Sequence, residues 1–201
     1  MSGHTTSSVA DKWDAIYTHQ ECKTALPAEV LQQNLHLLPQ SGAGLDLACG
    51  LGGNAICMAK HGIEVDAWDV SSVAIDKIND YVDKHKIKIL TQQRDIENDQ
   101  PSPNTYDVVV VSYFLYRPIL KNICKCLKSD GLLFYQTFCA EKVTYSDHIT
   151  GPKNPNYLLN KNELLSVCEG MQILVYREEG LQGDIHKGWR NQAMIVAKKI
   201  D

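Results

Sequence analysis

The chain has 201 residues, 44% hydrophobic and 22% charged, which suits one folded domain with a full-sized core. A formal net charge of −4 argues against bulk attraction to nucleic acid or an anionic membrane, and no apolar run reaches the ~18 residues of a membrane span. The opening MSGHTTSSVA has no apolar core and reads as a frayed tail over residues 1–9 rather than a leader, while seven scattered cysteines fit a reducing cytoplasm.

Residues 10–19 have helical character, and Pro27 opens a helix that turns Val30, Leu31, Leu35 and Leu38 inward. Residues 10–40 thus form an N-terminal helical cap on a core spanning 41–201, the whole of 10–201 being one domain. Strands and helices then alternate. GLDLA (44–48) is a short buried strand, and residues 54–61 are a helix closed by Gly62. EVDAWD (64–69) is the next strand; Ser71 and Ser72 cap a helix with Ile75, Ile78 and Val82 on one face. IKILTQ (87–92) is the third strand. YDVVVVSYF (106–114) carries the unbroken β-branched run of a strand covered on both sides, and Pro118 suits the first turn of a helix reaching Lys128. Cys124 and Cys126, two apart on that helix, face away from each other and read as packing thiols rather than metal ligands. The turn KSDG leads into LLFYQTF (132–138), followed by a long lid-like loop over 139–159 and a helix near 160–169. QILVYREE (172–179) and AMIVAKK (193–199) have no room for a helix between them and form an antiparallel pair. The alternation specifies an α/β fold, a mostly parallel sheet with helices on both faces.

In such a sheet, ligands sit outside the carboxyl ends of the strands. LDLACGLGGNAI (45–56) passes from strand to helix through Gly50, Gly52 and Gly53, which let the backbone approach a ligand, beside the free N–H groups of a helix start. GLGGNA alone also fits the G-x-G-x-x-A form of a dinucleotide fingerprint. Three acids narrow the choice. Asp46 lies inside the first strand, where it would repel a pyrophosphate and welcome an amino group or a cation. Asp69 ends the second strand, where a carboxylate accepts hydrogen bonds from ribose hydroxyls, while Asp66 sits mid-strand away from that edge. Asp95 follows the third strand, placed for an adenine amino group while the Ile96 N–H serves a ring nitrogen. Ribose, adenine and a cationic amino acid describe S-adenosylmethionine (SAM), whose product is S-adenosylhomocysteine (SAH).

LDLACGLG, AWDVS, RDIE and YDVVVVSYF, in this order, resemble the signature segments of the class I SAM-dependent methyltransferases, the first matching D/E-x-G-x-G-x-G with Ala48 for its first glycine. The resemblance implies a seven-stranded Rossmann-like sheet of order 3-2-1-4-5-7-6 with the last strand antiparallel. It implies cofactor contacts from Asp46, Ala48, Cys49, Gly50, Gly52 and Asn54, from Asp69 and Val70, from Asp95 and Ile96, and from Ser112. Trp13 and Tyr17 in DKWDAIY are placed to fold over the cofactor, and aromatics near a sulfonium add cation–π attraction. On the acceptor side the candidates are Tyr113, Tyr116 and Arg117 past the fourth strand, Tyr157 in the loop that also holds Tyr145, Asp147 and His148, and Arg177. Within the class, DAWDVS, the compact length and GDIHKGWRNQAMIVAKK resemble the small tellurite-resistance (TehB-type) methyltransferases, whose corresponding loop carries a His, a basic residue and a later Arg. His186, Lys187 and Arg190 match in character. That likeness implies catalytic roles for His186 as a base and for Arg190, or Arg177, as holder of an oxyanion.

The expectation is a soluble cytoplasmic methyltransferase, monomer or homodimer, acting on a small-molecule acceptor such as a thiol or an oxyanion of selenium or tellurium. SYFLYR stands where a methylase of nucleic-acid amino groups would carry an Asn/Asp-Pro-Pro-aromatic run. An RNA or protein methyltransferase and a non-catalytic SAM-binding or partner-binding domain are the alternatives; Asp46 and the C-terminal hairpin oppose a nicotinamide dehydrogenase.

Overall fold

The structure is a computed structural model and describes residues 8–144 and 151–201. Seven strands form one sheet in the order β3-β2-β1-β4-β5-β7-β6. β1 (Ala43–Leu47), β2 (Glu64–Asp69), β3 (Ile89–Gln93), β4 (Tyr106–Ser112) and β5 (Leu127–Phe138) pair in parallel. β7 (Gln192–Lys198) runs antiparallel to both β5 and β6 (Gln172–Glu178). The strand order and the hairpin are as expected. The chain crosses over between β1 and β4, so their carboxyl ends diverge into a crevice.

β4 shows why the sheet is covered twice. Val108 and Val110 belong to one apolar cluster, Val109 and Val111 to another, and all four are fully buried. The first cluster lies under α3 (Gly53–Lys60) and α4 (Ser72–His85), whose Ile75, Ile78 and Val82 form its stripe. The second lies under α5 (Leu120–Lys125) and α6 (Glu163–Val167), with Leu120, Ile123 and Leu164. Ser71 caps α4 by accepting from the Ala74 N–H at 3.1 Å.

Four local readings need correction. Residues 8 and 9 are not tail: Ser8 and Asp11 form a reciprocal capping box that starts α1 (Val9–Thr18); residues 1–7 and the lid candidates Tyr145, Asp147 and His148 lie outside the described residues. The helix expected from Pro27 is only α2 (Glu29–Gln32) followed by a 3-10 turn, Leu35–Leu37. Asn34 interrupts it, its side-chain amide taking the Val30 carbonyl at 2.9 Å that a continuing helix would have used. The helix after Pro118 begins as a 3-10 turn and ends at Lys125, not Lys128. KSDG is an irregularity within β5, which pairs with β4 both before it, at Leu127, and after it, at Leu132. Cys124 and Cys126 do diverge, their thiols donating to the carbonyls of Val167 and Ile123 respectively.

Candidate active site

The turn after β1 is wound tightly in the left-handed region. Ala48, Gly50 and Gly52 have φ of +57°, +52° and +76°. For glycine this costs nothing sterically, but for Ala48 the β-carbon meets the backbone, a penalty of about 1–2 kcal/mol. We expect Ala48→Gly to raise the unfolding free energy by about 0.5–1 kcal/mol, the penalty less the added freedom of glycine in the unfolded chain. Urea unfolding checks this, and a loss of stability would mean that the Ala48 methyl packs against its neighbours more profitably than the strain costs.

Asp46 builds this turn from below. It is fully buried, accepts the Ala55 N–H at 2.9 Å and the Asn54 amide at 3.2 Å, and does not line the crevice. Its carboxyl oxygens therefore cap the start of α3 rather than facing the cavity. Asn54 continues the network, donating to Ser112 Oγ at 2.9 Å and accepting the Ala28 N–H at 2.8 Å, so β1, β4 and the N-terminal segment meet at one side chain. Burial pushes the Asp46 carboxyl up to about 7 from an ordinary 3.8, against the pull of its two N–H donors. The folded state thus holds this proton more tightly than the unfolded chain. The contribution is full below about pH 4 and is lost as pH rises through about 7. Asp46→Asn, which cannot ionise, should lose less stability than wild type between about pH 4 and 7. Equal pH slopes in chemical unfolding would contradict this.

A cavity of about 530 Å³ opens at the carboxyl ends of the strands, within the usual size of a small-ligand pocket. Ala48, Cys49, Gly50 and Asn54 line its floor, Asp69 and Val70 follow from β2, and Asp95 and Ile96 from the loop after β3. Ser112, Tyr113, Phe114 and Leu115 enter from β4, and Phe138 from β5. Asp69 is 5% exposed; its carboxylate accepts the Gly50 N–H at 2.8 Å and the Ser71 N–H at 2.9 Å, which fixes it and leaves lone pairs toward the cavity. Burial pushes its carboxyl up, and N–H bonds from Ser71, Gly50 and Val70 pull it back. Asp95 is oriented by the Glu97 N–H at 3.1 Å and the Asn98 amide at 2.7 Å. A pair of separated carboxylates, one beside a bare turn of main chain and one beside an apolar wall at Ile96, fits a nucleoside with a ribose diol and an exocyclic amine.

α1 roofs this cavity although it buries none of its residues completely. Polar contacts hold it there instead. Asp14 accepts from Ser71 Oγ at 2.5 Å and from the Val73 N–H at 3.3 Å, and the Ser71 hydroxyl chiefly lowers its carboxyl pKa. Lys77 Nζ donates to the carbonyls of Tyr17, Thr18 and Gln20 at 2.6, 2.8 and 2.6 Å, closing the end of the helix. The result sets Trp13 and Tyr17 side by side, ring centroids 5.7 Å apart, in the cavity wall. Sequence reasoning named the two aromatics but not Asp14 or Lys77; the signal was an acid one residue past Trp13, facing the serine pair that caps α4.

Tyr113 sits at the other end, with φ +56°, a conformation uncommon outside glycine and found where a side chain must be aimed. Its hydroxyl accepts from Gln136 Nε2 at 3.2 Å. Gln136, fully buried, also donates to Gln192 Oε1 at 2.7 Å and accepts the Val30 N–H at 2.7 Å. This polar tie, invisible to hydrophobic patterning because it interrupts an apolar strand, couples the end of β4 to α2 and β7.

Several expected site residues lie elsewhere. Gly52 does not line the cavity; a β-carbon there would come within 3.1 Å of Ile78, so its role is close packing of α4. Tyr116 does not line the cavity and packs, half-buried, against the second apolar cluster. Arg117 forks onto Glu163, Nε to Oε1 at 2.7 Å and Nη2 to Oε2 at 2.8 Å, and donates to the carbonyls of Asn156 and Leu158. It thereby fixes the backbone on either side of Tyr157, which does line the cavity. Arg177 pairs with Glu179 at 2.5 Å and lies over the Trp189 ring. Arg190 is buried and donates to the carbonyls of Lys187, Gly180 and Asp184 at 2.7, 3.0 and 2.8 Å, so its guanidinium clamps the β6–β7 loop. His186 is exposed on the same loop, its backbone N–H donating to Asp184, and is not part of the cavity wall. The loop closes on its own arginine instead of reaching the crevice.

Comparison with known proteins bears on the same site. The family model described as tellurite resistance protein TehB matches residues 9–199. The chain belongs to the TehB family. As a TehB-family protein it is a member of the class I SAM-dependent methyltransferases, a class that uses SAM as its cofactor. TehB of Haemophilus influenzae has the same fold, with a TM-score of 0.65 and 24% identity over 93% of this chain and 67% of that one. Phosphoethanolamine N-methyltransferase 1 of Haemonchus contortus, solved with phosphoethanolamine and SAH, shares the fold with a TM-score of 0.73 and 16% identity, covering 94% of this chain and 48% of that one. A ubiquinone biosynthesis O-methyltransferase of Coxiella burnetii is 28% identical over 122 residues, 58% of this chain and 52% of the relative. The chain thus spans about half the length of the curated relatives it matches.

Proposed function

We propose that this TehB-family chain transfers a methyl group from SAM to a small-molecule acceptor, a thiol or an oxyanion of selenium or tellurium. The observation that carries the reading is the convergence of Gly50, Asp69 and Asp95 on one cavity whose remaining walls include six aromatic side chains. Asp69 takes the ribose hydroxyls, Asp95 and the Ile96 backbone take the adenine, and the main chain of Cys49 and Gly50 lies along the amino-acid portion. Bound SAM supplies an electrophilic methyl: the acceptor's lone pair forms the new bond while the sulfur keeps the electron pair of the old one, leaving neutral SAH. The protein's share is alignment and exclusion of water, an effect that reaches ~7–11 kcal/mol in well-oriented systems. Trp13, Tyr17, Tyr113 and Tyr157 provide the aromatic enclosure, and ring faces near a sulfonium favour its charge.

No helix among the described residues is long and apolar enough to cross a membrane. Incubation with methyl-labelled SAM and a panel of thiols, selenite and tellurite tests the proposal. Label appearing in a volatile or extractable small product supports it. SAM binding without transfer to any member of the panel would move the acceptor to RNA or protein, or the chain to a non-catalytic role.

A further inference from the structure

We infer that Lys12 is the residue that holds the anionic acceptor, an inference that rests on the function proposed above. The cations expected there, Arg190 and Arg177, are spent on the β6–β7 loop. Among the described lining residues, Lys12 carries the positive charge; Asp69, Asp95 and Glu97 are the acids, grouped where the nucleoside lies.

Lys12 is placed for this role by α1. It precedes Tyr17 by ~7.5 Å of helix rise, and Tyr17 marks the glycine turn because its hydroxyl lies against Gly50. Lys12 therefore stands away from the turn, on the side of Tyr157. Its ammonium is 5.5 Å from the Trp13 ring centroid and 6.0 Å from that of Tyr157. Among the described residues its contacts are these two faces, with no carboxylate. Ring faces steady the charge but accept little from its three N–H groups, which suit the oxygens of an anion. Tyr113 completes the arrangement. Its hydroxyl already accepts from Gln136, so its own proton is directed outward as a second donor. Burial, with Glu29 nearby, raises its pKa and keeps it a donor. An acceptor that is already anionic needs binding and desolvation rather than deprotonation. In the transfer its lone pair forms the bond to carbon, the carbon–sulfur pair stays on sulfur, and the acceptor loses one negative charge, which weakens its hold on Lys12 and favours release.

The test titrates selenite into the SAH-saturated protein by calorimetry, and SAH into the free protein. Selenite should bind the wild-type SAH complex, Lys12→Gln should weaken that binding about tenfold or more, and Lys12→Arg should restore most of it. SAH affinity should stay within about twofold in both variants. A wild-type SAH complex that takes up no selenite, or a Lys12→Gln complex that binds it as wild type does, overturns the assignment. So does a Lys12→Gln protein that loses SAH affinity instead, which would put the ammonium on the cofactor's carboxylate. Failure of the underlying function is separate: it is a wild-type protein that binds no SAH at all.

Discussion

Gly50→Val is expected to abolish SAM binding, weakening it by at least about 4 kcal/mol, or roughly a thousandfold. Three effects coincide at this position. The residue has φ +52°, which a β-branched side chain tolerates worst. A β-carbon would lie 2.8 Å from Tyr17 Oη and 3.3 Å from its Cζ, so α1 would be pushed off the cavity. The turn must also shift, taking the Gly50 N–H away from Asp69. The clash is with a side chain of a helix that no buried apolar residue anchors, so the sheet and both cores should survive. Calorimetry with SAM, beside a thermal melt that remains cooperative, separates loss of the site from loss of the fold. Near-normal affinity in a folded variant would show that the turn does not seat the cofactor.

Asp69→Ala comes second, with an expected loss of about 1.5–3 kcal/mol in SAM binding, the scale of a charged hydrogen-bonding partner. Part of that loss belongs to the ribose hydroxyls. The rest belongs to the Gly50 and Ser71 N–H groups, both buried against the carboxylate and left without an acceptor. Asp69→Asn separates the two, since its single carbonyl can still serve one N–H while its amide opposes the other. We expect it to recover less than half of the lost affinity. Unchanged binding in the alanine variant would mean that the ribose acid lies elsewhere.

The fold was legible because its signals are local and repeat. The two-sided burial of β4 is written in VVVV, the α4 stripe in Ile75, Ile78 and Val82, and the hairpin in the short span between β6 and β7. That Gly50, Asp69 and Asp95 share one cavity was legible for a related reason: each lies at or just past the carboxyl end of a parallel strand, so sequence position alone brings them to one edge. Asp46 shows the limit of that logic. Its place inside β1 is as expected, but whether a strand acid points at a ligand or at a helix start depends on the side chain's partners, here Asn54 and Ala55.

The acceptor end was misread because long-range contacts decide it. Arg190 and Arg177 carry the residue types the chemistry wants, yet each finds carbonyls or a carboxylate of the β6–β7 loop first. Arg117 is similarly consumed by Glu163, a partner no spacing rule connects to it. Conversely, α1 reads as a weakly amphipathic helix, and only the meeting of Asp14 with Ser71 and of Lys77 with the helix end makes it a roof. Gln136 is a polar residue in a buried strand, and its three partners come from α2, the residue after β4, and β7.

The most direct measurement is a crystal structure of the SAH complex. It should show the ribose hydroxyls on Asp69, the adenine between Asp95 and the Ile96 backbone, and the sulfur directed toward Tyr113 and Tyr157. Density for SAH outside this crevice, or inside it with Asp69 and Asp95 contacting nothing, would contradict the account.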